Sequence, residues 1–253
     1  MNSLLSFIEA SFPKKEYYFF ETIQSLWSGY GSIERWKNSK GESIVIKHIQ
    51  FPDQINHPKG WNSNIGHLRK VKSYEVENSW YDNFANKCWA RVPKQILNAK
   101  VGEALVIVLE DLDLSGFPVR PQTLSSIGFK SCISWLAQFH ACFLGNPGVG
   151  LWETGSYWHL QTRPDEFNKM EPGDLKRYAG KIDEKLSDCK FTTLVHGDAK
   201  LANFCFSKEG EVAAVDFQYV GVGCGMKDLI YFISSVEDFE SEDREKEVLD
   251  FYF

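Results

Sequence analysis

The fold of this chain is decided by T-L-V-H-G-D-A-K-L-A-N-F-C-F, residues 193–206, with the turn S-K-E-G at 207–210 and E-V-A-A-V-D-F at 211–217. Apolar Leu194 and Val195 enter a polar loop that leaves through Phe204, Cys205 and Phe206. The chain then turns over Lys208 to Gly210 and returns as an apolar run ending in Asp216. That pattern predicts strand, loop, strand, turn, strand. The loop has the spacing H-x-D-x-K-x-x-N, so His196, Asp198, Lys200 and Asn203 converge, and the hairpin delivers Asp216 to them.

Phosphoryl transfer is the chemistry that needs this set, because there a protein mainly positions groups and neutralises charge around a loose transition state. Asp198 would accept or orient the proton of an attacking hydroxyl. Asn203 and Asp216 would supply hard oxygen ligands to Mg2+ bridging the phosphates of a nucleotide, and Lys200 would face the transferred phosphoryl group. His196 reads as a packing and hydrogen-bonding pivot of the loop. A lone Asp in a turn is common and means little; the spaced set followed by a strand-borne Asp carries the reading.

The surrounding composition suits a globular protein. With 253 residues, 43% hydrophobic and 25% charged, the chain can form one large or two small domains with a sizeable core. A formal net charge of −6 argues against a broad electrostatic footprint for nucleic acid or an anionic membrane, so phosphate binding has to be local. No run reaches transmembrane length, and the start M-N-S-L-L-S-F-I-E-A lacks the features of a signal peptide. Six cysteines without a C-x-x-C pair favour reduced thiols, and a cytoplasmic location, over a disulfide framework. The expected partner is a small hydroxylated molecule; the oligomeric state is left open.

Working back from the loop, residues 1–13 read as a short amphipathic helix. Residues 21–37 read as two strands joined around Ser28, Gly29, Tyr30 and Gly31, and a turn leads into S-I-V-I-K-H-I at 43–49. Gly29 and Gly31 would let backbone N–H groups approach phosphates, although two glycines in a hairpin usually make only a turn. Lys47, in an apolar strand, needs an anionic partner or must snorkel. After a loop at 50–66, a helix is expected over 67–87 with the stripe Leu68, Val71, Tyr74, Tyr81, Phe84. Glu77 falls in the gap of that stripe, and a buried carboxylate requires a cation. Lys47 is the candidate, with Glu75 as a rival on the flank; Arg69, Lys70, Lys72 and Asp82 read as a solvated face. A hairpin over 95–110 ends in a nearly all-apolar strand. That strand runs out at Glu110, Asp111 and Leu112, where Glu110 and Asp111 either merely cap the strand or, given the 193–217 stretch, belong to a connector between two lobes that would meet an adenine edge.

Between these parts, a helix is expected over 123–144, with Leu124, Ile127, Trp135, Phe139 and Cys142 on one face and His140 in the core. An aromatic, poorly periodic segment at 151–172 would line a substrate pocket, and a helix follows at 174–187. Asp228 opens a later helix, either as its N-cap or as an acceptor of hydrogen bonds from the catalytic loop. The apolar residues of the last segment, Val248, Leu249, Phe251, Tyr252 and Phe253, would normally pack on further chain, which leads us to expect additional C-terminal helices.

L-V-H-G-D-A-K-L-A-N-F followed by A-V-D-F-Q and K-D-L resembles the aminoglycoside phosphotransferase and choline kinase superfamily. E-x-x-W-Y at 77–81, L-E-D-L at 109–112 and F-H-A at 139–141 are most similar to its ecdysteroid kinase-like (CHK kinase-like) branch. The resemblance implies an α+β, two-lobed protein-kinase-like fold. Residues 1–110 would form a nucleotide-binding lobe, an antiparallel sheet with one main helix. Residues 111–253 would form a mostly helical lobe carrying the catalytic hairpin. It implies ATP in the cleft, Asp198 as catalytic base, Asn203 and Asp216 on Mg2+, a Lys47–Glu77 ion pair and a hinge at Glu110 to Leu112. The expected activity is transfer of the γ-phosphate to a hydroxyl of a small molecule. A protein kinase is disfavoured because Asp216 is followed by F-Q and no A-P-E segment is present. A nucleotide-binding pseudokinase or interaction module is the alternative from another class. The Gly29 and Gly31 turn matches no strict glycine-rich pattern.

Overall fold

The computed structural model describes residues 3–26, 29–51, 64–236 and 242–253. Its first part is a five-stranded antiparallel sheet built from β1 (Tyr18–Ser25), β2 (Gly31–Lys37), β3 (Ser43–Ile49), β4 (Gln95–Val101) and β5 (Ala104–Glu110). The strand order is β1-β2-β3-β5-β4, so the two most apolar strands lie inside the sheet. Residues Ile44 and Ile46 of β3, with Val106 and Val108 of β5, point to one face and meet Leu4 and Ile8 of α1 (Ser3–Ser11). The opposite face carries Ile49, Ile107 and Leu109 against α2 (Asn64–Asn83), which contributes Tyr74, Val76, Trp80 and Tyr81 to the main core. Because side chains alternate along a strand, Lys47 shares the α2 face with Ile49. The sheet register, with Lys47 opposite Ile107, holds it there.

The second part is mostly helical: α3 (Ser126–Cys142), α4 (Pro164–Lys169), α5 (Asp174–Ser187), α6 (Met226–Ser234) and α7 (Glu242–Tyr252). Among these lie two small antiparallel pairs. One joins β6 (Thr192–Val195) to β9 (Gly221–Cys224), and the other joins β7 (Phe204–Phe206) to β8 (Val212–Ala214). The predicted strand, loop, strand, turn, strand therefore forms, but the first strand pairs with the later β9 rather than with the hairpin. An aromatic cluster joins the two parts: Trp80 of α2 stacks on Phe217 at 4.5 Å, and Phe217 in turn lies 6.1 Å from Phe139 of α3. Such a dry aromatic contact fixes α2, and with it Glu77, relative to the segment that carries Asp216.

Several expectations shift. The first strand starts at Tyr18 rather than 21, and α2 starts at Asn64 and ends at Asn83, followed by a short 3-10 turn. Most of the expected loop at 50–66, and Ser28 of the expected turn, lie outside the described residues. In α2, Leu68 is 62% exposed whereas Val76 and Trp80 are buried; in α3, Ile127 is 71% exposed and Ile133 and Leu136 are buried instead. Both helices bury a broader face than a single three-and-four stripe, because each is packed from more than one side. At the other end, Val248 is buried in the main core, with Leu249 and Tyr252 packed against it, while Phe253 is 90% exposed. All six cysteines are free.

Candidate active site

The loop at 196–203, the candidate catalytic loop, is held by its backbone. Asp228, in the first turn of α6 and fully buried, accepts hydrogen bonds from His196 N at 2.5 Å and Gly197 N at 2.9 Å. Gly225 occupies the N-cap position of α6, so Asp228 is the loop anchor and not the cap. Its carboxylate also meets His140 Nε2 at 3.1 Å, and His140 Nδ1 meets the Tyr252 hydroxyl at 2.6 Å. Burial alone would raise the pKa of Asp228, but the His140 hydrogen bond, nearby His196 and the Gly197 N–H hold it below the usual carboxylate range. His196 Nδ1 accepts from Asp198 N at 3.3 Å, which leaves Nε2 as the donor to Val215 O at 3.0 Å. The imidazole thus ties the loop to the strand end preceding Asp216 and acts as the pivot its position suggests. Gly197 has φ +78, and a Cβ there would sit 2.2 Å from Tyr219 O, so only glycine fits.

Asp198 is buried, and its Oδ2 accepts from Lys200 Nζ at 2.9 Å and Asn203 Nδ2 at 3.0 Å. The same Asn203 amide nitrogen also donates to Asp198 O at 2.7 Å. With its nitrogen committed twice, Asn203 keeps its oxygen as the atom for a ligand role. Among the described residues, Asp198 Oδ1 is buried without a hydrogen-bond partner. An orphaned carboxylate oxygen is costly unless something else occupies the site.

Lys47 Nζ lies 2.6 Å from Glu77 Oε2 and 3.2 Å from Asp216 Oδ1. Glu75 is exposed, so the partner of Lys47 is Glu77. Burial would lower the pKa of Lys47, but the carboxylates of Glu77 and Asp216 overcome it and keep the ammonium charged. Asp216 has φ +68, a left-handed backbone for a non-glycine residue, which turns its carboxylate back toward Lys47. Its side chain is 37% exposed, the open member of the cluster. Burial works against its charge, yet Lys47 and Lys70 hold it below the ordinary carboxylate range.

A cavity of about 1620 Å3 joins these groups. Lys47, Glu77, Glu110, Leu112, Asp198, Lys200, Asn203 and Asp216 all line it. Gly29 and Gly31 are not among its lining residues, although Tyr30 between them is. Gly31 has its own reason: a Cβ would sit 2.0 Å from His48 O on the paired strand. At the end of β5, Glu110 N donates to Lys94 O and its carboxylate accepts from Lys94 N, while Leu112 O accepts from Phe117 N. Neighbouring Asp111 is buried and binds Arg35 Nε at 2.8 Å and Ser43 Oγ at 2.6 Å, which fixes the exit of β5.

Four residues escaped the sequence reading. Arg69 and Lys70 line the cavity instead of forming a solvated face, and Gln218 bridges Lys70 and Asp216. Lys70 had a usable signal: it lies seven residues before Glu77, two helical turns on the same side. Arg163 had none, since it sits in an aperiodic stretch; it is buried, stacks 4.3 Å over Tyr157 and pairs with Glu166 at 3.0 Å. Among the described residues, no group of three or more His, Cys, Asp or Glu is placed to hold a metal alone. No helix among them is long and apolar enough to cross a membrane.

No curated protein matches the chain in sequence. In fold it is similar to the macrolide 2'-phosphotransferase MphH from Brachybacterium faecium, with TM-score 0.61 and 15% identity over 100% of this chain and 82% of that one. Aminoglycoside phosphotransferase APH(3'')-Id from Streptomyces rimosus, solved with ADP and streptomycin, has TM-score 0.60 and 14% identity over 100% and 92% of the two chains. Choline kinase LicA from Streptococcus pneumoniae has TM-score 0.58 and 14% identity over 99% and 80%. The fold is therefore the α+β, two-lobed one of the small-molecule phosphotransferases, and residues 157–253, which hold the 196–203 loop and Asp216, match the model of the ecdysteroid kinase-like family.

Proposed function

We propose that this protein is an ATP- and Mg2+-dependent kinase that moves the γ-phosphate of ATP to a hydroxyl of a small molecule. Residues 1–110 would serve as the nucleotide-binding lobe and 111–253 as the catalytic one. The observation that carries the reading is the state of Asp198, which lines the cavity that Lys47 and Asp216 share: one oxygen is fixed by Lys200 and Asn203, and the other is buried with no hydrogen-bond partner among the described residues. A substrate hydroxyl donating to that oxygen would satisfy it and be oriented for in-line attack. As the proton leaves the hydroxyl, Asp198 receives it, and Lys200 faces the charge that develops on the phosphoryl oxygens.

The donor set suits Mg2+, which prefers hard oxygens and is usually held by one or two carboxylates together with substrate phosphates. Asp216 and the amide oxygen of Asn203 would hold it, and the bound ion would neutralise phosphate charge. Lys47, held by Glu77, would meet the inner phosphates. An adenine edge would meet backbone groups of the Glu110 to Leu112 segment, which lines the cavity. The cavity exceeds the roughly 300–1,000 Å3 common for one small ligand, so it has room for a nucleotide and an acceptor together. Tyr157, Trp158 and Met170 line the end of the cavity formed by the 151–172 segment, which offers the acceptor apolar surface.

The test is a screen of hydroxylated small molecules for acceptor-dependent conversion of ATP to ADP in the presence of Mg2+. The expected result is turnover with a subset of acceptors and phosphorylated product by mass. Nucleotide binding without turnover across a broad library would instead support a pseudokinase.

A further inference from the structure

Three lysines line the cavity near the transfer centre: Lys47, Lys70 and Lys200. Two are matched by carboxylates within ion-pair distance, Lys47 by Glu77 and Asp216 and Lys200 by Asp198. Lys70 differs. Among the described residues its ammonium donates to the neutral amide oxygen of Gln218 at 2.8 Å and lies 4.6 Å over the Tyr74 ring. No salt bridge reaches it among those residues. Buried cations are normally paired or coordinated, so an ammonium resting on an amide and a ring has unused capacity for an anion.

Its position says which anion. Lys70 and Glu77 lie on one side of α2, two turns apart, about 10 Å along the axis. Glu77 marks the place of Lys47, so Lys70 stands further along the cleft. Gln218 Oε1 accepts from Lys70 while Gln218 Nε2 donates to Asp216 Oδ1 at 2.7 Å, which puts the Lys70 ammonium one side chain from the candidate metal ligand. The charged groups that act on it are Asp216 after β8, Lys47 on β3, Glu77 on its own helix and Arg163 before α4. Burial, the largest influence, draws its pKa down to about 8 although Asp216 opposes this.

Resting on the kinase reading above, we propose that Lys70 is a second phosphate-binding cation of the cleft, engaged by the terminal phosphoryl group of ATP while Lys47 serves the inner phosphates. Ser73 Oγ, already 3.3 Å from Gln218 Oε1, keeps that amide oxygen partnered when Lys70 turns to the phosphate. The cleft therefore distinguishes ATP from ADP before any acceptor arrives.

Calorimetric binding of ATP and ADP with Mg2+ and no acceptor tests this on the full chain. Lys70→Met keeps the aliphatic stem and removes the charge; its ATP affinity should fall about tenfold while its ADP affinity stays within twofold of wild type, and Lys70→Arg should recover most of the loss. Thermal unfolding of each variant reports on folding, and Lys70→Gln serves as a second neutral replacement if the Met variant melts early. Equal losses for both nucleotides in the Met and Gln variants, or no loss for ATP, would overturn the assignment of Lys70. A wild-type protein that binds neither nucleotide would overturn the kinase reading itself, and the two failures are separate outcomes of one titration.

Discussion

Lys47 Nζ and Asp216 Oδ1 lie 3.2 Å apart although 169 positions separate them in the sequence. The contact joins the five-stranded sheet to the segment that follows the β7–β8 hairpin, and Glu77 completes it at 2.6 Å from the same nitrogen. Asp216 is the member that remains open to the cleft. Its replacement by Ala should abolish the strengthening of ATP binding by Mg2+, because Asn203 alone offers one neutral oxygen. Titrations of ATP with and without metal check this: the two affinities should converge in the variant. Persistence of the wild-type metal effect would remove Asp216 from the metal site.

Asp228 satisfies two buried backbone N–H groups of the catalytic loop. Truncation to Ala leaves both without a partner, at about 1–3 kcal/mol each, so Asp228→Ala should lose roughly 3 kcal/mol or more of unfolding free energy in urea. Asp228→Asn, which keeps one acceptor oxygen, should lose about half of that. A loss below about 1 kcal/mol for the Ala variant would mean that the loop finds other partners.

The Lys70 ammonium carries its proton below about 8 and sheds it as the pH rises through that value. The protonated form is the one that attracts phosphate, so the ATP affinity of the wild type should weaken between about pH 7 and 9 relative to Lys70→Met. The difference between the two proteins should close at the upper end. Parallel pH profiles for the two would show that Lys70 does not titrate against the nucleotide.

Much of this site is visible in the residues themselves. His196, Asp198, Lys200 and Asn203 lie within eight positions, and Asp216 follows a hairpin whose turn is marked by glycine; local spacing brings them together. Lys47 and Glu77 are legible because each is a charge inside an apolar pattern, and burial forces such charges to pair. What escapes is what only tertiary packing decides. Lys70 reads as part of a solvated face; its place two turns before Glu77 puts it on the same side of α2, but its contact with Gln218 follows from packing alone. Leu68 and Ile127 fit an apolar stripe and yet face solvent, since a stripe fixes an angle around a helix and not the number of neighbours packed on it. For the Gly29 and Gly31 turn the residues leave phosphate contact and a plain turn both open, and what the structure adds is the close approach of His48 O to Gly31.

The buried oxygen of Asp198 that has no hydrogen-bond partner among the described residues is the centre of this account. The most direct measurement is the single-turnover rate of phosphate transfer for Asp198→Ala, or its slow ATPase where no acceptor is in hand, alongside its ATP affinity. The rate should fall by about 10²–10⁴-fold, the range expected for loss of a general base, with nucleotide affinity within about threefold of wild type. A rate close to that of the wild type, with the variant folded and binding ATP, would contradict the role assigned to Asp198.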